Sequence, residues 1–596
     1  MALRIEDYAL LGDTQSAALV GNDGSVDWLC FPRFDSDACF AALLGGVEHG
    51  RWLLAPAGPV RRVRRAYRDE TLVLDTDFEV DGGVLRVTDC MPPRGAEPDL
   101  VRVAECTAGR VAVQLELRPR FGYGATAPWI MPGPGGARII GGPDALRLTG
   151  DVPVELERER VTARFELDRG SRAAFVLDWH PSHEKAPPAI DPASAVRGAE
   201  EYWRTWSQRC RYEGRWRDAV IRSIITLKAL TYAPTGGLLA AATTSLPEKI
   251  GGVRNWDYRY CWVRDATFTL YALLVAGYTD EARAWRDWLL RAAAGHPSEL
   301  QIMYGVGGER RLPELELPWL PGYEGSRPVR IGNAAAEQLQ LDVIGELMDC
   351  LHQARRSGID PTPAAWDLQR ALVEHLESTW QEPDEGIWEV RSGRHPFTHS
   401  RVMAWVAVDR AVSAVERLGM EGPLERWKAL RNTIHDQVCR QGFDADRGAF
   451  VQAYGSRELD ASLLMIPMVG FLPPDDPRVR GTVEAIQREL CEGGLVLRYR
   501  SESTMDGLPP GEGAFLPCTF WLADCLALMG RVAEARALVK KLLALRNDVG
   551  LLSEEYDVHS RRLVGNFPQA FSHVALVNAV RNVSRPGGPA EARHRE

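Results

Sequence analysis

Two different spacings of hydrophobic residues divide the chain near residue 190. Before this point, apolar and polar residues alternate over short runs, as in 111–117 and 161–167, which predicts strands with one buried face. Asp-Gly pairs at 23–24 and 81–82 lie between consecutive runs and predict tight hairpins. We therefore predict a β-sandwich domain over residues 1–190, in which the Pro- and Gly-rich stretch 127–143 is a loop.

After residue 190 the apolar positions recur with the period of an α-helix. The periodic runs predict eleven helices, at 215–232, 264–277, 279–294, 333–355, 364–379, 402–417, 424–441, 476–491, 515–530, 532–546 and 568–582, and a shorter twelfth at 459–467. Helices in this number, paired through short loops, predict a closed double ring with its long loops at one end. We expect a linker helix at 191–212, a helical domain at 213–584 and a disordered tail at 585–596.

Composition narrows the class of protein. A chain of 596 residues predicts more than one domain, and a net charge of -10 argues against a nucleic-acid partner. We find no secretory signal and no run of about 18 apolar residues that would cross a membrane, so we expect a cytoplasmic protein with no membrane partner. The eleven cysteines lack zinc-site spacing, so we expect no metal and no cofactor. The oligomeric state stays open.

Four aromatic and four charged residues fall within residues 255–265, just before an apolar helical run. Rings that can lie on a flat apolar face suit a sugar, and the adjacent Arg264 and Asp265 can bind its hydroxyl groups. A buried aromatic loop with one surface ion pair would have the same composition.

Two acidic loop motifs lie far apart in sequence. Glu389 is flanked by Trp388 and Val390, and an apolar neighbourhood raises the pKa of a carboxyl group, as a general acid requires. Glu554 lies in a second loop, 165 residues later, and Glu555 beside it is its rival. Each glutamate alone fits a solvated loop, but a fold that closes on itself would bring two carboxyl groups together. Glycoside hydrolysis needs such a pair.

Three ordered motifs carry a family resemblance. They are Asp257-Tyr258-x-Tyr260-x-Trp262-x-Arg264-Asp265, Ile387-Trp388-Glu389 and Ser553-Glu554-x-Tyr556-Asp557. On these motifs the chain resembles the bacterial and archaeal members of glycoside hydrolase family 15, which contains glucoamylases, prokaryotic trehalases and related exo-acting glucohydrolases. It departs from the fungal glucoamylases at Gly386 and Val390, where those enzymes carry acidic residues.

The resemblance implies a super β-sandwich followed by an (α/α)6 barrel, and an inverting mechanism with Glu389 as acid and Glu554 as base. Carboxyl groups in such enzymes lie about 6.5–9.5 Å apart. The residues that it assigns to the sugar are Arg264 and Asp265 on hydroxyl groups, Tyr258 near the charged ring, Trp262 and Trp388 along the pocket, and Arg498 on the next sugar. Whether Arg327, Arg330 and Glu512 contact substrate stays open.

The substrate expected from this resemblance is a small α-glucoside. Trehalose is favoured because no secretion signal or starch-binding module is visible and the prokaryotic motifs are present. Maltooligosaccharides and isomaltose-type α-1,6 glucosides are the alternatives. A disaccharide phosphorylase and a non-catalytic sugar-binding protein are weaker readings, since both carboxylates are present.

Overall fold

The computed structural model describes residues 2–95, 97–359, 361–501, 506–584 and 590–591. Its N-terminal part is a fifteen-stranded antiparallel sheet system. The strands are β1 (Tyr8–Gly12), β2 (Ala17–Gly21), β3 (Ser25–Cys30), β4 (Ala38–Phe40), β5 (Arg51–Pro56), β6 (Val60–Tyr67), β7 (Leu74–Val80), β8 (Gly83–Cys90), β9 (Asp99–Arg118), β10 (Trp129–Gly133), β11 (Gly136–Gly141), β12 (Asp144–Gly150), β13 (Glu155–Leu156), β14 (Val161–Asp168) and β15 (Arg172–Pro181). The prediction of a strand-rich N-terminal part is confirmed.

Strand β9 joins the two halves of this sheet system. Its first half pairs with β8 and β15, and its second half pairs with β5 and β14. Both predicted Asp-Gly hairpins form, β2 with β3 and β7 with β8. The alternating runs 111–117 and 161–167 lie opposite each other in β9 and β14, with Leu117 facing Val161.

The predicted loop at 127–143 is wrong. Strands β10 and β11 form a hairpin there, turning at Gly135, which has a φ of 73°. Pro132 is tolerated because β10 is an edge strand. A strand without a neighbour on one side does not need an N–H donor on that side. Ile139 and Ile140 supply the β-branched residues that favour strands.

The chain after residue 190 is helical, as predicted. Its helices are α1 (Pro192–Ser207), α2 (Arg217–Ala229), α3 (Ala266–Ala276), α4 (Thr279–Ala292), α5 (Asp342–Arg356), α6 (Pro363–Thr379), α7 (Thr398–Leu418), α8 (Leu424–Gln441), α9 (Met465–Met468), α10 (Pro477–Glu489), α11 (Leu516–Leu528), α12 (Val532–Leu543) and α13 (Ala570–Ser584). The short strands between them are β16 (Thr231–Tyr232), β17 (Gly237–Leu238), β18 (Cys261–Trp262), β19 (Met303–Tyr304), β20 (Leu315–Glu316), β21 (Arg330–Ile331), β22 (Phe443–Asp444), β23 (Ala449–Phe450), β24 (Cys491–Glu492), β25 (Leu495–Val496), β26 (Ala514–Phe515), β27 (Glu555–Asp557) and β28 (Arg562–Val564).

Six helical segments follow one another in a closed circuit. Helix α3 contacts α5, α5 contacts α7, and α7 contacts the short segment formed by a 3₁₀ turn at Ala461–Leu464 and α9. That segment contacts α11, α11 contacts α13, and α13 returns to α3. Helices α4, α8 and α12 each contact members of this circuit. The predicted twelfth helix is thus present, but it is short.

The helix predicted from residue 333 begins only at Asp342. Residues 338–341 are diverted because they are fixed to the neighbouring loop: the backbone N–H groups of Leu339 and Leu341 donate to the carboxylates of Glu385 and Asp384. Helix α1 occupies the predicted linker, with Asp191 accepting from the Ser194 N–H at its N-cap. The predicted tail 585–596 lies outside the described residues, apart from residues 590 and 591.

No helix in the described ranges is both long and apolar enough to span a bilayer.

A buried ion pair connects the sheet system to the helical part. Arg259 donates from Nε and Nη2 to both oxygens of Asp257, at 2.9 and 2.6 Å, and from Nη1 to the Ser36 carbonyl at 3.0 Å. Its guanidinium group also lies 5.3 Å from the ring centre of Tyr123. Trp28 donates across the same boundary to the Ala242 carbonyl. Two planar hydrogen bonds to one carboxylate fix the direction of the backbone between the two charged residues.

Replacing Arg259 by Ala should destabilise the protein by about 3–5 kcal/mol, because it leaves the buried Asp257 carboxylate without a cation. The measurement is the apparent midpoint of thermal unfolding. Arg110→Ala is the control, since its partner Glu166 and Arg110 itself are both mostly exposed, and it should unfold like the parent protein. Equal midpoints for the two variants would contradict the structural role of Arg259.

Candidate active site

A pocket opens between the loops that precede α3, α7 and α13. Its walls are aromatic, and charged side chains lie between the rings. The lining residues are Ala240, Glu248, Arg254, Trp256, Tyr258, Trp262, Arg264, Asp265, Ile387, Trp388, Glu389, Arg391, Arg498, Leu508, Phe515, Trp521, Gln569 and Phe571. All six residues predicted to bind sugar are among them, together with Glu389. Glu554 adjoins this set and is fully buried.

The aromatic stretch alternates between two environments. Trp256, Tyr258 and Trp262 line the pocket, whereas Asp257 and Arg259 point away from it and form the buried ion pair described above. An extended chain places successive side chains on opposite sides. One segment therefore supplies aromatic rings to the pocket and an anchor to the sheet system.

Glu389 is held in an unusual backbone conformation. Its φ of 58° lies in the left-handed region, which non-glycine residues seldom adopt and which is frequent at functional sites. Its Oε1 accepts from Nη2 of Arg264 at 2.6 Å and from Nε1 of Trp262 at 2.8 Å. The carboxylate is thus fixed by two donors from the aromatic stretch.

Two expectations about this carboxylate differ from the structure. Its surroundings are not purely apolar, because the Arg264 guanidinium contacts it directly. Val390, predicted to flank it, packs instead against Phe397 and Ala453. Arg264 therefore has Glu389 as its direct ion-pair partner, and it acts on the adjacent Asp265 through its charge.

Asp265 lies at the start of α3 and is half-buried. Burial raises its pKa to about 7, and the charge of Arg264 acts against this rise. The carboxyl group lines the pocket, so it is available to a hydroxyl group of a ligand in either protonation state.

The backbone just after β28 holds the carboxylate of Glu554 in place. Its Oε2 accepts from the Asn566 N–H at 3.0 Å, and Gly565 leaves room for this contact, since a Cβ atom there would lie 2.6 Å from Oε2. Its Oε1 accepts no hydrogen bond from the described residues. Burial, with the charge of Glu248 nearby, raises the pKa of Glu554 to about 8.

Glu555 is anchored differently from its neighbour. Its Oε2 accepts from the Gly513 N–H at 2.8 Å, and its Oε1 lies 3.2 Å from Nη2 of Arg498. Like Oε1 of Glu554, Oε1 of Glu555 accepts no hydrogen bond from the described residues, but its ion pair with Arg498 stabilises the ionised form of Glu555. This arrangement favours Glu554 over Glu555 as the residue that can accept a proton from water.

Arg498 is surrounded by carboxylates. It donates to both oxygens of Glu512, at 2.9 and 2.7 Å, and to Oε2 of Glu248 at 2.8 Å. Glu512 also lies 3.2 Å from Nη1 of Arg254. Glu512 thus orients two arginines of the pocket wall and is not itself a lining residue.

Trp388 and Trp256 both form part of the wall, and each is held by polar or charged neighbours. Trp388 donates from Nε1 to Asp460 at 2.8 Å, which fixes the ring plane. The ring of Trp256 lies 4.5 Å from the guanidinium carbon of Arg330 and 4.7 Å from that of Arg391. Arg330 therefore supports an aromatic wall without lining the pocket. Arg327 is also absent from the described lining residues, and its Nε donates to the Pro321 carbonyl.

Sequence reasoning missed several residues of the pocket. Glu248, Arg254 and Trp256 line it, and of these only Trp256 lies within the aromatic stretch 255–265. Glu248 follows a proline in an irregular loop, and its contact with Arg498 joins residues 250 positions apart. Periodicity and local spacing carry no signal for such a contact.

Among the described residues, one group of carboxylates has the spacing of a possible cation site. Oxygen atoms of Glu248, Glu554 and Glu555 all lie within 4.8 Å of one another. The guanidinium group of Arg498 already supplies a positive charge to two of them.

Two family profiles cover this chain. Residues 214–581 match the glycosyl hydrolases family 15 profile, and residues 1–203 match a trehalase-like N-terminal domain. The chain belongs to glycosyl hydrolase family 15. As a family 15 glycoside hydrolase, it carries its pocket within the range of the first profile.

Relatives of this family 15 enzyme match it over nearly its whole length. A trehalase of Mycobacterium tuberculosis is 40% identical over 99% of this chain and 91% of its own. A trehalase of Thermoplasma volcanium is 34% identical over 96% and 92%. The structure of a bacterial glucoamylase complexed with acarbose superposes with a TM-score of 0.74 at 12% identity, over 100% of this chain and 97% of that one. The last comparison shows a shared fold.

Replacing Arg498 by Leu should lower stability more at high pH than at low pH. Burial raises the pKa values of Glu248 and Glu555, and the charge of Arg498 opposes this rise. Without Arg498 both values rise further, so the folded state binds more protons than the unfolded chain as pH increases, and stability falls with pH. We expect a loss of about 3–5 kcal/mol near pH 8 and a smaller one near pH 5.

Thermal unfolding at the two pH values measures this difference. Arg531→Leu is the matched control, because Arg531 pairs with the exposed Glu534 outside the pocket, and it should show a small effect at both values. An equal loss for Arg498→Leu at both pH values would rule out the electrostatic role.

Proposed function

We propose that this family 15 enzyme is an inverting hydrolase that releases glucose from trehalose. The observation that carries the proposal is the match to curated trehalases over nearly the full length of both chains, at 40% identity in the first of them. The trehalase-like N-terminal profile supports the same substrate. The pocket is compatible with a disaccharide, since charged side chains interrupt its aromatic walls.

We propose Glu389 as the general acid and Glu554 as the general base. Glu389 is supported by its place in the pocket wall and its strained backbone. Glu554 is supported by its Oε1, which accepts no hydrogen bond from the described residues, and by its charge, which acts together with those of Glu248 and Glu389 on Tyr258 in the pocket wall.

In the proposed reaction, Glu389 protonates the glycosidic oxygen as that bond breaks. Water loses a proton to Glu554 and attacks the anomeric carbon from the opposite face, which inverts its configuration. A hydroxyl group that binds Arg264 would compete with Glu389 for the guanidinium, so substrate binding loosens the ion pair that holds the acid. Tyr258, Trp262 and Trp388 would contact the sugar rings.

The finer architecture is also proposed. We infer that the closed circuit of helices with its outer partners is an (α/α)6 barrel over residues 213–584, and that the sheet system is a super β-sandwich over 1–190, joined by a linker at 191–212. The contacts around the circuit and the two pairings of β9 support this. Eleven free thiols, nine of them buried, fit a reducing cytoplasm.

Proton NMR of glucose anomers released from trehalose tests the substrate and the mechanism together. We expect α- and β-glucose to appear in equal amounts in the first minutes, because one half of trehalose inverts and the other leaves as the α-anomer. If trehalose is not consumed while maltooligosaccharides or isomaltose give β-glucose, the enzyme is a glucoamylase-type or isomaltose-type glucohydrolase. Phosphate-dependent release would indicate a phosphorylase.

The variant Glu389→Gln should lose about 10²–10⁴-fold in kcat, because it removes the proton donor and keeps the shape of the side chain. Binding of trehalose, followed by calorimetry, should change little. Glu385→Gln is the control. Glu385 lies in the same loop and pairs with Arg394, and it is not among the residues that line the pocket in the described part of the chain. Turnover by Glu389→Gln near that of the parent enzyme would disprove the assignment.

A further inference from the structure

Glu248 is a third carboxylate at the proposed reaction centre. It follows β17, is almost completely buried, and is a lining residue of the pocket. Its Oε2 accepts from Nη2 of Arg498 at 2.8 Å. Neither Glu554 nor Glu555 is among the described lining residues. Of the three carboxylates, Glu248 is therefore the one that lines the pocket and can contact a bound sugar or the water beside it.

The three carboxylates are too close to behave independently. Oxygen atoms of Glu248, Glu554 and Glu555 lie within 4.8 Å of one another, and like charges at this separation disfavour each other's ionisation. Glu555 has fixed contacts to Arg498 and to the Gly513 N–H. Glu554 has an oxygen without a partner among the described residues. Glu248 also accepts from Arg498, but it is the member that lines the pocket, so Glu248 and Glu554 are the pair beside which a proton from the pocket can bind.

The surrounding charges do not neutralise this pair. Arg498 contacts Glu248, Glu555 and Glu512, so three carboxylates share one guanidinium group. A second cation that acts on Glu248, Arg254, also contacts Glu512. Arg254 pairs further with Asp506, and Tyr258 and Glu389 line the same pocket. An excess of negative charge therefore remains beside Glu554.

We propose that Glu248 is a catalytic residue that acts together with Glu554, so that the base of the reaction is a pair of neighbouring carboxylates. This inference rests on the proposed function. In the competent form both carboxylates are ionised. As the new C–O bond forms and the glycosidic C–O bond breaks, Glu389 gives its proton to the leaving oxygen. The proton from water binds to Glu554, where the neighbouring charge of Glu248 stabilises it, and after the products leave solvent removes this proton and returns one to Glu389.

The consequence is a stronger base that is ionised over a narrower pH range. The charge of Glu248 raises the pKa of Glu554, together with burial. A carboxylate with a raised pKa accepts a proton from water more readily, but it is protonated, and therefore inactive, to a higher pH. The acidic limb of the profile of kcat/KM against pH reports this ionisation.

The test compares the pH profiles of Glu248→Gln and the parent enzyme on trehalose, or on whichever α-glucoside the parent hydrolyses. Glu248→Gln keeps a hydrogen-bond acceptor for Arg498 and removes the charge. We expect its acidic limb to move to lower pH by about one unit or more, and its kcat on the plateau to fall about tenfold. KM should change less than kcat, because the group acts on Glu554 and the shape of the pocket is kept.

Glu512→Gln is the matched control. Glu512 contacts the same guanidinium group, at 2.7 and 2.9 Å, but is not a member of the three-carboxylate group. In Glu512→Gln the acidic limb should lie at the same pH as in the parent enzyme, even if kcat/KM falls. If both variants shift the limb equally, Glu248 acts only through Arg498 and the proposal is overturned.

A charge-preserving variant separates folding from chemistry. Glu248→Asp should keep the limb within about half a unit of the parent's, because the negative charge remains. Two results would overturn this role of Glu248 in the base while leaving the proposed hydrolase intact. One is an acidic limb that moves as far in Glu248→Asp as in Glu248→Gln, and the other is an acidic limb that does not move in Glu248→Gln. A parent enzyme that hydrolyses no α-glucoside would remove the proposed function, and this inference with it.

Discussion

The buried pair of Asp257 and Arg259 is the interaction on which the pocket depends. Arg259 donates from Nη1 to the carbonyl of Ser36 in the sheet system, while its Nε and Nη2 hold the two carboxylate oxygens of Asp257. Because side chains alternate along an extended chain, fixing these two residues turns Tyr258 toward the pocket. Trp262 and Arg264 follow in the same segment and hold Glu389. The position of the proposed acid is thus set by an anchor outside the pocket.

A second constraint is the scarcity of positive charge at the other end of the pocket. Arg498 and Arg254 are surrounded by more carboxylates than they can neutralise. Burial of an incompletely paired charge is unfavourable, and a fold tolerates it only where the surrounding contacts compensate. The backbone N–H groups of Gly513 and Asn566 supply part of that compensation. The site thereby keeps carboxylates whose affinity for protons is high.

The sequence was sufficient for much of the architecture. The change of period near residue 190 separates strands from helices, and the helix at 424–441 was placed correctly because its amphipathic pattern is regular and short loops bound it. The hairpin at 129–141 was missed because glycine and proline outweighed its β-branched residues. The delayed start of α5 depends on Asp384 and Glu385, which lie more than 40 residues away.

Only the site residues that lie in local sequence motifs could be predicted. The aromatic stretch and both glutamates stand in recognisable segments, whereas Glu248 and Arg254 gain their place through contacts spanning about 250 residues. The ion pair of Arg264 with Glu389 could not be predicted for the same reason, since it joins residues 125 positions apart.

The circuit of helical segments has a consequence for how the protein is made. Helix α13 closes it by contacting both α11 and α3, and Glu554 lies just before this last helix. During synthesis at roughly 5–20 residues per second, about 20–80 s separate the completion of the sheet system from that of α13. Helix α3 is made early in this interval and lacks its final neighbour for most of it, whereas α11 is made only near the end. The circuit therefore stays open, with the apolar face of α3 uncovered on one side, until α13 has emerged.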